Sequence, residues 1–560
     1  MTIAGFHLKL SNYLWIGSAS VAIFLMTGSV TDPVNAPKLF VLGGFGSALL
    51  GMLIYGYLKR ILKFSIIELL VVSFAFWALV VSIKSEAPFS QNFYGSYGRN
   101  TGFLAYLSFI VIFLAATHLK NIKIINRALL GFGIAGAINI LYSISVLLFG
   151  DFVGWNNNYG ALLGTFGNPN FISSFLGLLF VACLVQIVGI SSRERFYFLV
   201  LLPIIIWLLV KTNSIQGFVI AAMGTWLVGF FWIRSIAKSK IMSGGYLLLG
   251  IIIGFLAIQG ALGSGLLKNI LAQPTVALRE QYWFAAWQTG ISHPIFGVGM
   301  DSFGDWYRRA RGAQALITPG PDTVTNAAHN VFLDIFAYGG FPLLLIYLAM
   351  MFLCFNSLIK VARSQKNFDS TFVAIASLWI CFQAQSLISI NQIGLAIWGW
   401  IFSGLLIAYG RNFKAQNSQE SRNAPKLSLK NSAVSPELTA FVCMVIGLVV
   451  SVPPLNADMK WRALQSSGKV DLLEPALTES YLTPLNSLKL AQAVEILEKS
   501  SLYDLAIKYA RIGVEYNPDF FTSWQMLYYA TNSTTDEKIK AKKEMIRLDP
   551  LNQKLRELNP

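Results

Sequence analysis

Charged side chains are scarce in this chain of 560 residues: they make up 12% of it, about half the ~25% of soluble domains. A water-facing surface cannot be built from so little charge. A soluble enzyme with one large core is therefore excluded, as are disorder and a disulfide scaffold. Cysteine is sparse too. Cys183, Cys354, Cys381 and Cys443 all sit in apolar runs, and no pair has metal-ligand or redox spacing. They read as small apolar fillers, with no metal or cofactor implied. Acidic groups are also few outside the last hundred residues. From 456 onward 14 basic and 14 acidic groups balance, so the net +16 belongs to residues 1–455. A nucleic-acid binder would gather that charge on one face or arm. Here it falls in short clusters between apolar runs, the pattern of membrane-flanking loops.

What is abundant is hydrophobic sequence: 55% of the chain, with a mean hydropathy of +0.58. A membrane span needs roughly 20 apolar residues. Thirteen stretches qualify, at 12–31, 39–58, 65–84, 102–118, 128–150, 171–190, 196–212, 215–234, 242–262, 331–358, 370–389, 393–410 and 438–455. The first lacks a small-residue cleavage site and is expected to be a retained helix. Loops after the even-numbered spans hold 19 basic residues, whereas the alternate short loops hold only Lys38, Lys84, Arg99 and Lys211. The positive-inside rule then puts the amino terminus in the cytoplasm. The loop 263–330 and the carboxyl-terminal region are expected outside the plasma membrane. The expected fold class is all-α, a polytopic membrane domain over 1–455 with a cytoplasmic linker at 412–437. Residues 456–560 are charged and helical by period. Pro484, Pro518 and Pro550 recur at about one 34-residue interval, which suggests a tetratricopeptide-like (TPR-like) helical domain that binds a protein partner.

Chemistry is expected in the long external loop. Arg279 lies one turn before Trp283 on a helical run, with Tyr282 beside it. The two aromatic rings suit headgroup level, and a guanidinium there suits phosphate. Arg308, Arg309 and Arg311 follow a Gly-Val-Gly turn and offer to steer an anion; a solvated basic face is the alternative. His329 sits where the loop becomes a span. With Asn326 as the cap, His329 falls in the first helical turn, where the helix dipole disfavours imidazolium and attracts phosphate. A neutral imidazole there could accept a proton. Further polar groups cluster at external span ends: Arg99, Asn168 and Asn170, Ser214 and Gln216, and the run Gln383–Gln392. Together they suggest an outward-opening polar cavity.

The set YGRNTG (97–102), GTFGNPN (164–170), R-x-x-Y-W from Arg279, PIFGVG (294–299) and H-N-x-F-L-D from His329 resembles the O-antigen ligase superfamily. That superfamily includes O-oligosaccharyltransferases and O-antigen polymerases; the carboxyl-terminal repeats are similar to one subgroup. The resemblance implies a polytopic, GT-C-like glycosyltransferase fold. It implies transfer of a glycan from an undecaprenyl-diphosphate carrier to an acceptor glycan, lipid or protein at the outer face of a bacterial plasma membrane. No metal or cofactor is implied. His329 and Arg279 match the catalytic positions, with Arg99, Asn168, Asn170, Gln216, Tyr282, Arg309 and Asn330 as substrate-binding candidates. Many members carry Ser-Arg-Gly where this chain has Ser214-Ile-Gln216-Gly, so a second cation must come from elsewhere; Arg99 is preferred over Arg309. A polymerase acting on the same lipid is the alternative within the class. A polysaccharide or lipid transporter is the alternative from outside it.

Overall fold

The computed structural model describes residues 2–155, 157–237, 240–271, 274–417 and 435–559. Most of the expected linker 412–437 lies outside the described residues. The described residues are mostly helical; the only extended pairing among them is a bridge between Ser480 and Thr483. A helix stands at each of the thirteen expected spans. In chain order the first are α1 (Ile3–Ile23), α2 (Asn35–Leu58), α3 (Ile66–Lys84), the short α4 (Phe89–Tyr94), α5 (Phe103–Thr117), α6 (Ile122–Phe149), α7 (Pro169–Gly189), α8 (Arg195–Lys211), α9 (Gln216–Ile236) and α10 (Lys240–Ala261). After them come the loop helices α11 (Lys268–Leu271), α12 (Pro274–Ser292), α13 (Phe303–Ala310) and α14 (Gln314–Ile317). The bundle closes with α15 (Val331–Ser364), α16 (Ser370–Ser386), α17 (Ile393–Asn417) and α18 (Pro436–Ser467). Among the described residues nine helices, α2, α3, α6, α7, α9, α10, α15, α17 and α18, are long and apolar enough to cross a membrane. The protein is thus a multi-pass membrane protein in its architecture. The other four, α1, α5, α8 and α16, are shorter or more polar.

The first helix departs from expectation. It runs over 3–23, not 12–31, because Thr2 caps its start by accepting from the Gly5 N–H at 3.1 Å. Its end is fixed by Lys38, expected in a loop but found buried in α2. The ammonium donates to the carbonyls of Val21, Ala22 and Phe24 at 3.1, 2.6 and 3.0 Å. Those carbonyls are ones a helix end leaves without partners, and a lysine satisfies all three inside the protein.

Helix α2 packs along α18 through small residues. A Cβ on Gly43 would meet the Ser451 side chain at 2.6 Å, and one on Gly447 the Gly43 carbonyl at 2.4 Å. Such close backbone approach is how helices associate where lipid removes the hydrophobic drive. The same α18 continues unbroken through Pro453 and Pro454. The expected boundary at 455/456 therefore lies within one helix. Its side chains change company there: Leu455 packs with Val30 and Ala36, and Trp461 belongs to the carboxyl-terminal core. That core is built by α19 (Leu473–Leu477), α20 (Ser487–Lys499), α21 (Tyr503–Tyr516), α22 (Phe521–Tyr529) and α23 (Thr535–Leu548), where α20 packs on α21 and α22 on α23 as two helical hairpins.

Helix α15 is two helices. Gly339 and Gly340 leave helical geometry, Gly340 at φ +65°. The break is filled by the loop 293–300. Val298 and Gly299 donate their N–H groups to the carbonyls of Ala337 and Tyr338 at 2.9 and 3.1 Å, and Phe341 donates back to Pro294 at 2.8 Å. Trp77 Nε1 donates to the Gly339 carbonyl at 3.0 Å. Four backbone groups at the break thus find partners, as a segment at membrane depth needs. The Pro-Ile-Phe-Gly-Val-Gly sequence is the plug of this break. The expected continuous span 331–358 is corrected accordingly, and the Gly339-Gly340-Phe341-Pro342 run is the signal for it.

A Cβ on Gly340 would sit 2.4 Å from the Pro294 carbonyl oxygen, in a backbone region that L side chains avoid. Gly340→Ala is expected to destabilise the fold by about 1–3 kcal/mol, read as a lower unfolding midpoint in detergent. An unchanged midpoint would contradict a rigid break.

Candidate active site

The break delivers the amino-terminal piece of α15 to the end of the bundle where the loop 263–330 gathers. Asn330 caps it: Oδ1 accepts from the N–H groups of Phe332 and Leu333 at 3.0 and 3.2 Å. The cap is therefore Asn330, not Asn326, and His329 stands just outside the helix at φ +53°. Asp334 reaches back, its Oδ1 accepting from the Ala328 N–H at 2.8 Å. The turn bearing His329 is clasped from both sides. A non-glycine residue at positive φ is uncommon and needs such support. Asn330 occupies first-turn N–H groups that the sequence had offered to a phosphate.

Helix α12 brings Arg279 and Tyr282 to the same place. The Tyr282 ring lies on the His329 imidazole, with centroids 5.7 Å apart and planes 33° apart. Its other side meets Tyr307 of α13 edge-on, also at 5.7 Å. Arg279 is buried at 7% exposure, and its Nη1 has no hydrogen-bond partner. Burial pulls the Arg279 pKa down. Among the described residues Arg279 has no ion-pair partner, and a buried cation without a counter-ion is costly, so this one is poised for an anion. Burial also holds His329 at a pKa of about 3, assisted by the positive fields of Arg279 and Arg99. The imidazole is neutral near pH 7, as expected, but burial and two arginines are responsible, not a place in the helix's first turn.

Arg99 converges on this region with its charge already paired. It faces Asp301 at 3.1 Å and donates to the Asn326 carbonyl at 2.6 Å and the Tyr338 hydroxyl at 3.0 Å. Asp301 in turn accepts from the N–H of Ser96 at 2.9 Å. The pair ties the YGRNTG turn, the Gly-Val-Gly turn and α15 into one unit. Asp301 and Tyr338 were not anticipated from sequence; their signal is only that each adjoins a glycine turn.

Asn168, Asn170 and Gln216 form a separate network between α7 and α9. Asn168 caps α7, accepting from the Asn170 N–H at 2.9 Å. The Ser214 hydroxyl donates to Asn170 Oδ1 at 2.8 Å, and Ser174 to Gln216 Oε1 at 3.1 Å. These side chains join helices, and no hydrogen bond among the described residues links them to His329 or Arg279.

Arg309 stands elsewhere again. Its guanidinium lies 3.5 Å from the Trp306 ring centroid and pairs with Asp519 at 3.2 Å. Its neighbours do likewise: Arg308 meets Asp549 at 3.1 Å, and Arg311 meets the same carboxylate at 2.5 Å with both side chains fully buried. Rather than standing free to steer a substrate, the arginine triplet grips the carboxyl-terminal domain. Asp305 belongs to the same seam, accepting from Gln91 at 2.9 Å and Asn517 at 3.1 Å, and burial pushes its carboxyl up to about 6. Asp458 completes it, accepting from the N–H groups of Thr31 and Asp32 at 2.8 and 2.9 Å and from the Tyr97 hydroxyl at 2.8 Å. The domain therefore covers the same end of the bundle as the site.

Residues 173–348 match the O-antigen ligase family. The match supports the O-antigen ligase superfamily, and with it a membrane glycosyltransferase-type function. No curated protein matches the chain. The matched segment runs from α7 to just beyond the break in α15. It contains Arg279, Tyr282, Arg309, His329 and Asn330, and the plug that fits the break; Arg99 and its turn lie outside it.

Removing Asp549 leaves two buried guanidinium groups uncompensated. Asp549→Ala is expected to cost roughly 3–5 kcal/mol at this seam, seen as faster proteolysis within 303–322. Unchanged protection would show that the arginine grip holds nothing.

Proposed function

We propose that the protein transfers a glycan from an undecaprenyl-diphosphate carrier to an acceptor hydroxyl at the outer face of a bacterial plasma membrane. The observation that carries this reading is a buried guanidinium with an unpartnered Nη1 and no ion pair among the described residues, set beside a neutral imidazole in the segment that matches the O-antigen ligase family. In this reading the diphosphate takes the vacant Arg279 Nη1, and the acceptor hydroxyl meets His329. The hydroxyl oxygen attacks the anomeric carbon as its proton passes to the imidazole. The bond from that carbon to the diphosphate oxygen breaks with inversion, and the electron pair leaves on the diphosphate. Arg279 stabilises the charge gained there.

The low pKa of His329 gives this scheme an internal gate. A bound diphosphate cancels the field of Arg279, which is one of the causes holding the imidazole neutral. Donor binding then raises the affinity of His329 for a proton, so the base strengthens when its substrate is present. Arg99, paired with Asp301, contributes field and scaffold in place of the direct contact first expected of it. Tyr282 orients the imidazole, and Asn330 fixes the turn.

The full reading has thirteen spans, the amino terminus in the cytoplasm, and α20–α23 as a short TPR-like array outside. Two packed hairpins with proline-marked ends support the array, which would bind a protein partner or a large acceptor. A polymerase joining repeat units on the lipid shares donor and leaving group. Comparing acceptor-linked glycan with lipid-linked chain length separates the two.

Arg279→Ala and His329→Ala are each expected to abolish transfer in membranes that still contain the inserted protein. Wild-type transfer by His329→Ala would remove the base. With the imidazole pKa depressed, the neutral form persists as pH falls below 6.5. The acid limb of kcat/KM is therefore expected below pH 5, and a midpoint at 6.5 would deny Arg279 and burial their role.

A further inference from the structure

Helix α18 has an apolar flank turned away from α2. Gly447 and Ser451 are spent on the α2 contact, whereas Phe441, Val445 and Val449 stand exposed on another side, four residues apart. Because α18 is long and apolar enough to cross a membrane, that stripe faces lipid. Its far end meets a turn of the carboxyl-terminal domain. Pro453 has no N–H to give the Val449 carbonyl four residues before it. The Tyr481 hydroxyl donates to that carbonyl instead, at 3.0 Å. A freed carbonyl in water needs no such partner; one at membrane depth does.

The same turn is tied to α18 at two further heights. Asn456 Nδ2 donates to the Leu482 carbonyl at 2.8 Å, and Lys460 Nζ to Thr483 Oγ1 at 2.7 Å. Measured along α18 from Pro436, Val449 lies at about 20 Å, Asn456 at about 30 Å and Lys460 at about 36 Å. A hydrocarbon core about 30 Å thick that begins where Glu437 pairs with Lys9 therefore encloses the Tyr481 hydroxyl, ends near Leu482 and leaves Lys460 among head groups. At that boundary the turn, closed by the Ser480–Thr483 bridge, presents Tyr481 and Leu482, exposed at 60% and 49%. An amphipathic ring and an aliphatic side chain suit the level between head groups and acyl chains. The two side chains thus prolong the lipid-facing stripe of α18 onto the carboxyl-terminal domain.

We propose that the 480–483 turn is a lipid-inserted foot of the carboxyl-terminal domain, seated at the boundary of head groups and acyl chains in the leaflet on the His329 side. Its partner is the bilayer itself: the contact is apolar and asks for no particular head group. The foot does not depend on the transfer reaction. Together with the arginine seam it gives the domain two holds, one on protein and one on lipid, and sets its height over the end of the bundle.

The full-length protein in phosphatidylcholine nanodiscs tests this by fluorescence quenching. A nitrobenzoxadiazole label is placed at Leu482→Cys or at Tyr529→Cys, each in a Cys443→Ala chain because the other three cysteines are buried. Tyr529 is similarly exposed but ends α22, whose first residue Phe521 carries the Arg308 guanidinium 4.2 Å from its ring centroid, so it stands away from that contact with the bundle. Phosphatidylcholine bearing a nitroxide near the glycerol end of one acyl chain is expected to quench the label at 482 roughly threefold more than the label at 529. Aqueous iodide is expected to quench the label at 529 and spare that at 482. Ser480→Cys, on the same turn, should read like 482 and keeps Leu482 intact. Iodide quenching at 480 and 482 equal to that at 529 overturns the proposal, since the turn would then lie in water. So does equal lipid quenching at 482 and 529. Protection of 480 and 482 from both quenchers overturns it as well, because a second copy or another protein would then cover the turn.

Discussion

The buried pair of Arg99 and Asp301 is the constraint on which the site depends. An ion pair at 3.1 Å with 5% and 0% side-chain exposure is expensive to form and worse to break. It is affordable only because other groups complete it: Tyr338 and the Asn326 carbonyl receive from the guanidinium, and backbone N–H groups reach the carboxylate. Each partner comes from a different segment. Three turns far apart in sequence are thereby fixed to one another, and the turn that ends in His329 is one of them.

The broken α15 gives this node its geometry. A continuous helix would carry residues 331–364 as one rod. The break at Gly339–Gly340 lets the first two turns take a direction of their own, and the Pro294–Gly299 plug supplies the missing hydrogen bonds. Two features of the sequence that look independent, a Gly-Val-Gly turn in a loop and a Gly-Gly pair in a span, are two halves of one contact. The plug also sets the start of α13, whose Tyr307 touches Tyr282, which touches His329. From the other side, Asp549 and Asp519 hold the arginines at the end of α13. The carboxyl-terminal domain is thus a structural neighbour of the site through one short helix.

Against this rigid surround, Arg279 is the exception. Arg99, Arg308, Arg309 and Arg311 each face a carboxylate. Arg279 is equally buried and has an Nη1 with nothing to donate to. Arg99, Arg309 and Arg311 each keep an Nε without a partner too, but their charge is matched by a carboxylate, whereas no ion pair to Arg279 is found among the described residues, which leaves it a charge to offer an incoming anion. The neutral imidazole beside it follows first from burial and then from the fields of Arg279 and Arg99.

Composition and periodicity alone determined the class of molecule. Too little charge for a soluble surface, and apolar runs of span length, leave a multi-pass helical protein, and the helices fall at each expected run. Arg279, Tyr282 and His329 were legible because residue type and loop position suggest phosphate and proton chemistry, whatever the fold. Partnership was not legible. Arg309 and Arg279 read alike in one dimension, yet one faces Asp519 and the other faces no acid among the described residues, because a charge is free or spent according to what the folded chain brings within a few ångströms. Lys38 read as a loop cation and proved to cap the end of α1. The helix cap is Asn330 and not Asn326: the Asn330 side chain accepts the first-turn N–H groups, and Asn326 lies in the preceding turn, its carbonyl held by Arg99 from more than two hundred residues away. Sequence sets which groups the chain has to offer; tertiary structure decided which of them remain unpaired, since pairing depends on distance in space and not on spacing along the chain.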